Sequence, residues 1–288
     1  MKKQYKAVFF DWDGTAVVSR KAPADAAAAR MAPLLEKGIK LVIVSGTTME
    51  NIAGGKLESF FTEKQLGNLY LGLGRGAFNY EFRGGKPVVF EDRIPDGKVL
   101  ADIHRISFDV HMELLEKYGF QTDIVFSRPN YCKIDLMAEN QRGENLFMQE
   151  NEIELLRERL RAHGIGGGLG QLLEMAVEAG KRYGIVTAPT CDAKYLEVGI
   201  SSKSDNVDCI LGRLEREFGI LPGDCCYWGD EFVGIEEGIF GSDSFMRTEK
   251  TRDGDFFDVS EVPGSRPEGV LHVGGGIERF HEFLRQQA

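Results

Sequence analysis

Residues 7–15 read AVFFDWDGT, a run of apolar residues that ends in two aspartates one residue apart, Asp11 and Asp13. A continuous apolar run is typical of a strand that helices cover on both faces. Residues 23–38 then have helix-forming composition and end in glycine, and the apolar run IKLVIVSG follows them. This order of strand, helix and strand predicts a parallel sheet in the amino-terminal region.

The same alternation returns near the carboxyl end of the chain. The sequence predicts strands over residues 194–198, 225–230, 244–247 and 269–273, and helices over residues 204–218 and 277–285. The predicted fold class is therefore α/β, with a doubly wound parallel sheet built from both ends of the chain.

The middle of the chain has a different pattern. FNYEFRGGKPVVFED is typical of a hairpin, YCKIDLM alternates with a period of two, and helical stretches separate these strands. Helices beside an amphipathic sheet indicate a separate α+β unit. We expect a core of residues 1–80 and 193–288, with residues 81–192 inserted as an α+β cap domain.

Composition narrows the function classes. The 288 residues are 42% hydrophobic and 28% charged, as in an ordinary globular protein, and the formal net charge is −10. Duplex nucleic acids and anionic membranes attract positive surfaces, so neither is an expected partner. The acids at Asp11 and Asp13 interrupt the first apolar run before it reaches the length of a signal peptide or membrane span, and we expect a cytoplasmic protein.

Polar residues follow three of the predicted parallel strands at the point where each strand ends. Asp11 and Asp13 follow the first, Ser45 the second, and Asp230 the strand CCYWG, while Lys203 opens the helix that leads into that last strand. Ligands of open α/β sheets bind outside the carboxyl ends of the strands. We therefore expect these side chains to converge on one site.

The chemistry of these groups fits phosphoryl transfer. A carboxylate can attack phosphorus covalently, and Mg²⁺ bound by oxygen ligands offsets the repulsion between the two anions. The Ser45 hydroxyl, the backbone N–H groups near Gly46 and the Lys203 ammonium would hold the phosphate oxygens. An acid two residues after the nucleophile, Asp13, would lie near enough to protonate the leaving group.

The motifs DWDGT, VSG, Lys203 and GDE, in this order, resemble those of the haloacid dehalogenase superfamily. The long insertion resembles the α+β cap of Cof-type sugar phosphatases, sucrose-phosphatases and phosphomannomutases. The resemblance implies a Mg²⁺-dependent phosphotransfer enzyme with Asp11 as nucleophile, Asp13 as acid/base, and Ser45 and Lys203 as the phosphate clamp. It further implies that Asp11, the backbone carbonyl of Asp13, and Asp230 hold the metal.

Two of the departures from the family pattern bear on the predicted site. The second acid usual in the last motif is replaced by Gly234, so that Glu231, Glu236 or Asp243 would have to supply it; GSDS, residues 241–244, makes Asp243 a candidate. GRGA, residues 74–77, stands where Asn-Gly-Ala is often found, which leaves the role of Arg75 open.

The strand YCKIDL offers candidate substrate contacts in the cap. Its period of two places Lys133 on a polar face that is either solvent-exposed or closed over the active site. Arg128 and Asn130 come just before it and carry the same two interpretations. Hydrogen-bonding side chains on a lid suit a hydroxyl-rich leaving group. The leading hypothesis is a phosphatase of small sugar or polyol phosphates; a phosphosugar mutase and a non-catalytic phosphosugar-binding protein are the alternatives.

Overall fold

The structure is a computed structural model that describes residues 3–138, 150–192 and 194–288. Its strands are β1 (Ala7–Phe10), β2 (Lys40–Val44), β3 (Leu69–Leu73), β4 (Phe78–Arg83), β5 (Lys86–Asp92), β6 (Asp123–Val125), β7 (Tyr131–Asp135), β8 (Thr190–Cys191), β9 (Tyr195–Gly199), β10 (Cys225–Gly229), β11 (Gly234–Glu236), β12 (Ile239–Phe240), β13 (Asp255–Asp258) and β14 (Val270–His272). Its α-helices are α1 (Asp25–Glu36), α2 (Glu63–Leu66), α3 (Gly97–Tyr118), α4 (Glu150–Ala162), α5 (Gly168–Arg182), α6 (Lys203–Phe218) and α7 (Gly276–Gln287). None of the helices within these ranges is both long enough and apolar enough to cross a bilayer.

The larger sheet has eight strands in the order β14-β13-β10-β1-β2-β3-β4-β5. The six strands from β14 to β3 pair in parallel, and β4 and β5 add an antiparallel edge. The chain leaves β1 toward β2 and β3, and later returns to β10 on the other side of β1. This reversal of strand order beside β1 confirms the predicted doubly wound α/β fold and marks the place where such sheets bind ligands.

Apolar packing on both faces of the sheet explains the continuous apolar runs. Phe10 packs on Phe280 of α7, with ring centroids 4.9 Å apart, in the core on one face. Phe9 stacks on Tyr227 at 4.9 Å in the core on the opposite face, which α6 covers. Every residue of β1, β2, β3 and β10 is buried. The central strands are thereby fixed along their whole length.

A second sheet of four antiparallel strands has the order β6-β7-β9-β8. Helices α3, α4 and α5 cover one of its faces and share an apolar core with it. Cys132, Ile134 and Leu136 are fully buried, whereas Lys133 and Asp135 keep partial exposure, as the period of two predicts. The assignment of this sheet and its helices to a separate cap domain stays a prediction.

Three elements differ from the sequence prediction. The hairpin of β4 and β5, expected as part of the α+β middle of the chain, extends the large sheet, because β4 pairs with β3. The strand at residues 194–198, expected in the core, is β9 of the second sheet, whose alternating burial fits an amphipathic strand. Residues 244–247 were expected as a strand, but Ser242–Met246 form a 3₁₀ helix in which the Ser244 hydroxyl donates to the Gly241 carbonyl at 2.7 Å.

Helix α6 is anchored beneath the turn between β3 and β4. Ser202 and Asp205 form a capping box at its first residues, as each side chain bonds to the other's backbone. Asn206 is fully buried; its Oδ1 accepts from the Gly76 N–H at 2.7 Å, and its Nδ2 donates to the Phe78 carbonyl at 3.1 Å. Gly72 of β3 leaves the space for this approach, since a Cβ there would lie 2.6 Å from the Cβ of Asn206.

Replacing Asn206 with alanine is expected to destabilise the protein. The change leaves the buried Gly76 N–H without an acceptor, at a cost of about 2–3 kcal/mol, which corresponds to a fall in Tm of roughly 5 °C or more. Differential scanning calorimetry of Asn206→Ala measures it, with Glu215→Ala on the exposed side of the same helix as control. Equal Tm values for both variants would contradict this account.

Candidate active site

A cavity of about 370 Å³ lies between the carboxyl ends of the central strands and the four-stranded sheet. Asp11, Asp13, Ser45, Gly46 and Lys203 line the end formed by the large sheet, here called the floor. Residues of the second sheet and its connections line the other end, here called the roof; they include Arg128, Tyr131, Lys133, Asp192 and Glu197. The structure thus brings these five predicted core residues to one cavity.

The ammonium of Lys203 lies between two carboxylates on the floor. Its Nζ is 2.8 Å from Asp11 Oδ1 and 2.7 Å from Asp243 Oδ1, and all three side chains are buried. Burial opposes the charge on Lys203, but Asp11 and Asp243 outweigh it and raise its pKa well above the usual value. Burial raises the pKa of Asp11, and Lys203 acts against that rise. The group is a charge cluster removed from water.

Asp243 is the acid that the structure brings to Lys203. Its Oδ2 accepts the Glu231 N–H at 2.8 Å, and a Cβ on Gly229 would lie only 2.3 Å from that oxygen, so β10 must end in glycine here. Glu231 lines the cavity and accepts from the Ser242 hydroxyl at 2.7 Å. Glu236 lies elsewhere, since its Oε2 accepts the Leu169 N–H at the start of α5 at 2.6 Å. Of the three candidate acids, Glu236 is therefore not part of the site.

Asp13 has a partner that the sequence did not reveal. Arg20 Nη2 is 3.0 Å from Asp13 Oδ2, and Arg20 also donates from Nη1 to the Thr47 hydroxyl at 3.3 Å. Burial raises the pKa of Asp13, and the cation of Arg20 limits that rise. A carboxyl group with a raised pKa beside a cavity is suited to give and take a proton. Arg20 lies in the connection before α1, where sequence alone gives no signal of this contact.

Asp230 does not line this cavity; it lies next to Gly14 and Thr15 and lines a second cavity with Gly14. Its Oδ1 accepts from the Thr15 hydroxyl at 2.9 Å. Gly14 has φ 81°, and a Cβ there would lie 2.1 Å from Asp230 Oδ2, so glycine serves both the turn and the close approach. Burial raises the pKa of Asp230 well above normal, and Asp243, Glu231 and Asp11 raise it further.

The oxygen donors fit a hard divalent cation in chemistry and charge. Asp11 and Asp230 follow adjoining strands of the sheet, and burial and repulsion from neighbouring carboxylates, Asp11 among them, raise the pKa of Asp230. A cation held between carboxylate oxygens would relieve this repulsion. Across residues 3–138, 150–192 and 194–288, no three acidic, histidine or cysteine side chains already stand in a metal-binding group.

The roof contains a buried ion-pair network centred on Glu197. Its Oε1 is 2.8 Å from Lys133 Nζ, and its Oε2 is 2.9 Å from Arg75 Nε. Burial raises the pKa of Glu197, but Lys133 and Arg75 outweigh it and lower the value to about 2. Arg75 also donates to the Ser201 carbonyl at 2.6 Å and to the Ala188 carbonyl at 2.8 Å. It therefore joins the β3–β4 turn of the large sheet to the connections of the second.

The three candidate cap contacts occupy different places. Arg128 and Lys133 line the cavity. Asn130 is fully buried outside it, where its Nδ2 donates to the Gly74 carbonyl at 2.9 Å and to the Ser201 hydroxyl at 3.3 Å. The structure therefore does not bring Asn130 to the site, and the prediction of a substrate contact there is replaced by a contact between chain segments. Sequence spacing does not distinguish these two roles.

No family model matches the sequence. No curated protein matches it either. Solved structures with a similar backbone include IMP-bound Plasmodium falciparum IMP-nucleotidase with a truncated amino terminus, at 12% identity and TM-score 0.59; the match covers 99% of this chain and 68% of that one. A mutant of the same enzyme bound to IMP has 13% identity and TM-score 0.60, with coverage of 99% and 66%.

A protein from Eubacterium rectale has 13% identity and TM-score 0.54, and the match covers 99% of both chains. Identities this low bear on the fold alone. The strand order, the reversal beside β1 and the likeness along nearly the whole chain together show one architecture. The chain has the haloacid dehalogenase-like fold.

Proposed function

We propose that this chain is a Mg²⁺-dependent phosphomonoester hydrolase that acts through an aspartyl-phosphate on Asp11. The observation that carries the proposal is the buried Lys203 ammonium in contact with Asp11 and Asp243 at the cavity floor. A lone buried ion cluster of this kind is costly, and such clusters are concentrated at functional sites. Similar solved proteins include one named as a nucleotidase, which agrees with this reaction class.

In the first half-reaction a carboxylate oxygen of Asp11 attacks phosphorus, and the bond from phosphorus to the leaving oxygen breaks. Lys203 contacts Oδ1 of Asp11, so Oδ2 is the oxygen assigned to the attack. Asp13 gives its proton to the leaving alkoxide. The Lys203 ammonium, the Ser45 hydroxyl and the Gly46 N–H stabilise the charge on the non-bridging oxygens.

In the second half-reaction Asp13 takes a proton from water, whose oxygen attacks phosphorus. The bond from phosphorus to Asp11 breaks, inorganic phosphate is released, and the Asp11 carboxylate is restored. Asp11, the Asp13 backbone carbonyl and Asp230 are the groups assigned to hold Mg²⁺, which supplies positive charge against the phosphate. Asp243 holds Lys203 in place.

The proposed substrates are small sugar or polyol phosphates. A cavity of about 370 Å³ is near the lower end of the range for small-molecule sites. Its roof presents ammonium, guanidinium, carboxylate and phenol groups, which hydrogen-bond hydroxyls and charged groups. We infer that the four-stranded sheet and its helices act as the cap that selects the leaving group, and that the protein works in the cytoplasm.

Replacing Asp11 with asparagine is expected to abolish turnover, because the amide cannot serve as the nucleophile. With Mg²⁺ and a panel of sugar and polyol phosphates, phosphate release by Asp11→Asn should fall by at least about 10³-fold. Asp253→Asn, at an exposed turn, is the matched control and should keep wild-type rates. Circular dichroism checks that both variants are folded. Appreciable turnover by Asp11→Asn would refute the assigned nucleophile. A phosphosugar isomer, formed by the wild-type protein in place of free phosphate, would show that the chain is a mutase.

Mg²⁺ is expected to stabilise the folded protein, since it offsets the repulsion between Asp11 and Asp230. At Mg²⁺ about 100-fold above its Kd, linkage gives about 2.7 kcal/mol, or a rise in Tm of roughly 5 °C or more. Differential scanning fluorimetry at matched ionic strength measures the rise, and Asp230→Asn should lose most of it. An equal rise in wild type and Asp230→Asn would exclude Asp230 as a ligand.

A further inference from the structure

Arg128 has an environment that the proposed reaction does not explain. It lies in the connection between β6 and β7 and lines the same cavity as Asp11 and Lys203. Its side chain is half-buried, and its Nε is buried with no hydrogen-bond partner among the described residues. A buried donor without an acceptor costs about 1–3 kcal/mol. Arg75, which lines the same cavity, by contrast has partners for all three of its side-chain nitrogens.

Tyr131 lines the cavity together with three cations, Arg75, Arg128 and Lys133. The guanidinium carbon of Arg75 is 5.3 Å from its ring centroid, and the Lys133 ammonium is 5.9 Å from it. The charges of Lys133, Arg128 and Arg75 all favour the tyrosinate, although burial and Glu197 keep the pKa of Tyr131 raised. The three cations therefore share one region of the cavity wall.

Two carboxylates of the roof, Glu197 and Asp192, have partners other than Arg128. Glu197 alone contacts both Lys133 and Arg75. Asp192 lines the cavity too, but its Oδ1 accepts the N–H groups of Lys194 and Tyr195, at 2.6 Å and 2.5 Å, and burial raises its pKa to about 6. Within the described part of the chain, Arg128 has no ion pair. Arg128 therefore keeps an unpaired positive charge at the cavity wall.

We propose that the substrate carries a second anionic group, a carboxylate or a phosphate, which Arg128 binds with Lys133 at the roof while the scissile phosphate lies at Lys203. This inference rests on the hydrolase function proposed above and specifies its substrate class. An arginine fork binds carboxylate and phosphate oxygens in the same bidentate geometry. The second anion would supply the acceptor that Arg128 lacks.

Three matched pairs of phosphomonoesters test the proposal. Glycerol 3-phosphate and 3-phosphoglycerate differ by a carboxylate, as do the open-chain sorbitol 6-phosphate and 6-phosphogluconate, while fructose 6-phosphate and fructose 1,6-bisphosphate differ by a phosphate. With Mg²⁺, kcat/KM should be at least about 10-fold higher for the anionic member of one or more pairs, which a contact of 1.4 kcal/mol provides. The pair that shows the preference identifies the second anion as carboxylate or phosphate.

Arg128→Gln should lower that ratio toward 1, mainly through KM. Arg182→Gln is the matched control and should keep the wild-type ratio. Arg182 of α5 does not line the cavity but pairs with Asp109 of α3 at the protein surface. Ratios near 1 for wild type in all pairs, or an unchanged ratio in folded Arg128→Gln, would overturn the inference while phosphate release still supports the hydrolase. Release from none of the six compounds would overturn the hydrolase proposal and this inference together.

Discussion

The rest of the site depends on two ion pairs, which the ammonium of Lys203 makes with the carboxylates of Asp11 and Asp243. Breaking a buried ion pair by removing one partner leaves an uncompensated charge, so each of the three groups holds the other two. The register of β1 with β10 aligns Phe10 with Trp228 and so sets Asp11 beside the end of β10. The capping box of α6 fixes where Lys203 begins its helix. Strands β1 and β10 and helix α6, which are remote in sequence, therefore meet at the Lys203 ammonium.

Sequence patterns were most informative where local chemistry determines the structure. The buried strand before Asp11 and the start of α6 at Lys203 were predictable, because apolar runs and helix caps are local signals. The sequence left Asp243 as one of three candidates for the second acid. The structure has a 3₁₀ helix where the sequence predicts a strand, and this helix brings Asp243 to Lys203. Arg20 was missed because its contact with Asp13 depends on tertiary folding.

The β4–β5 hairpin and strand β9 were misassigned for different physical reasons. The edge hairpin of β4 and β5 keeps much of one face exposed, so that its alternation resembles that of an independent amphipathic sheet. Strand β9 was placed with the core because its neighbours in sequence belong there, although Glu197 at its centre belongs to the ion pairs of the roof. The role of Arg75 was likewise hidden, since its acceptors come from segments more than a hundred residues away.

A crystal structure with Mg²⁺ and beryllium fluoride tests the central claim most directly, because this anion mimics a phosphoryl group on a carboxylate. We predict a bond from beryllium to Asp11 Oδ2, with Lys203 Nζ within about 3 Å of a fluoride and still in contact with Asp243. Beryllium fluoride bound away from Asp11, or a Lys203 that makes no contact with it, would contradict the account.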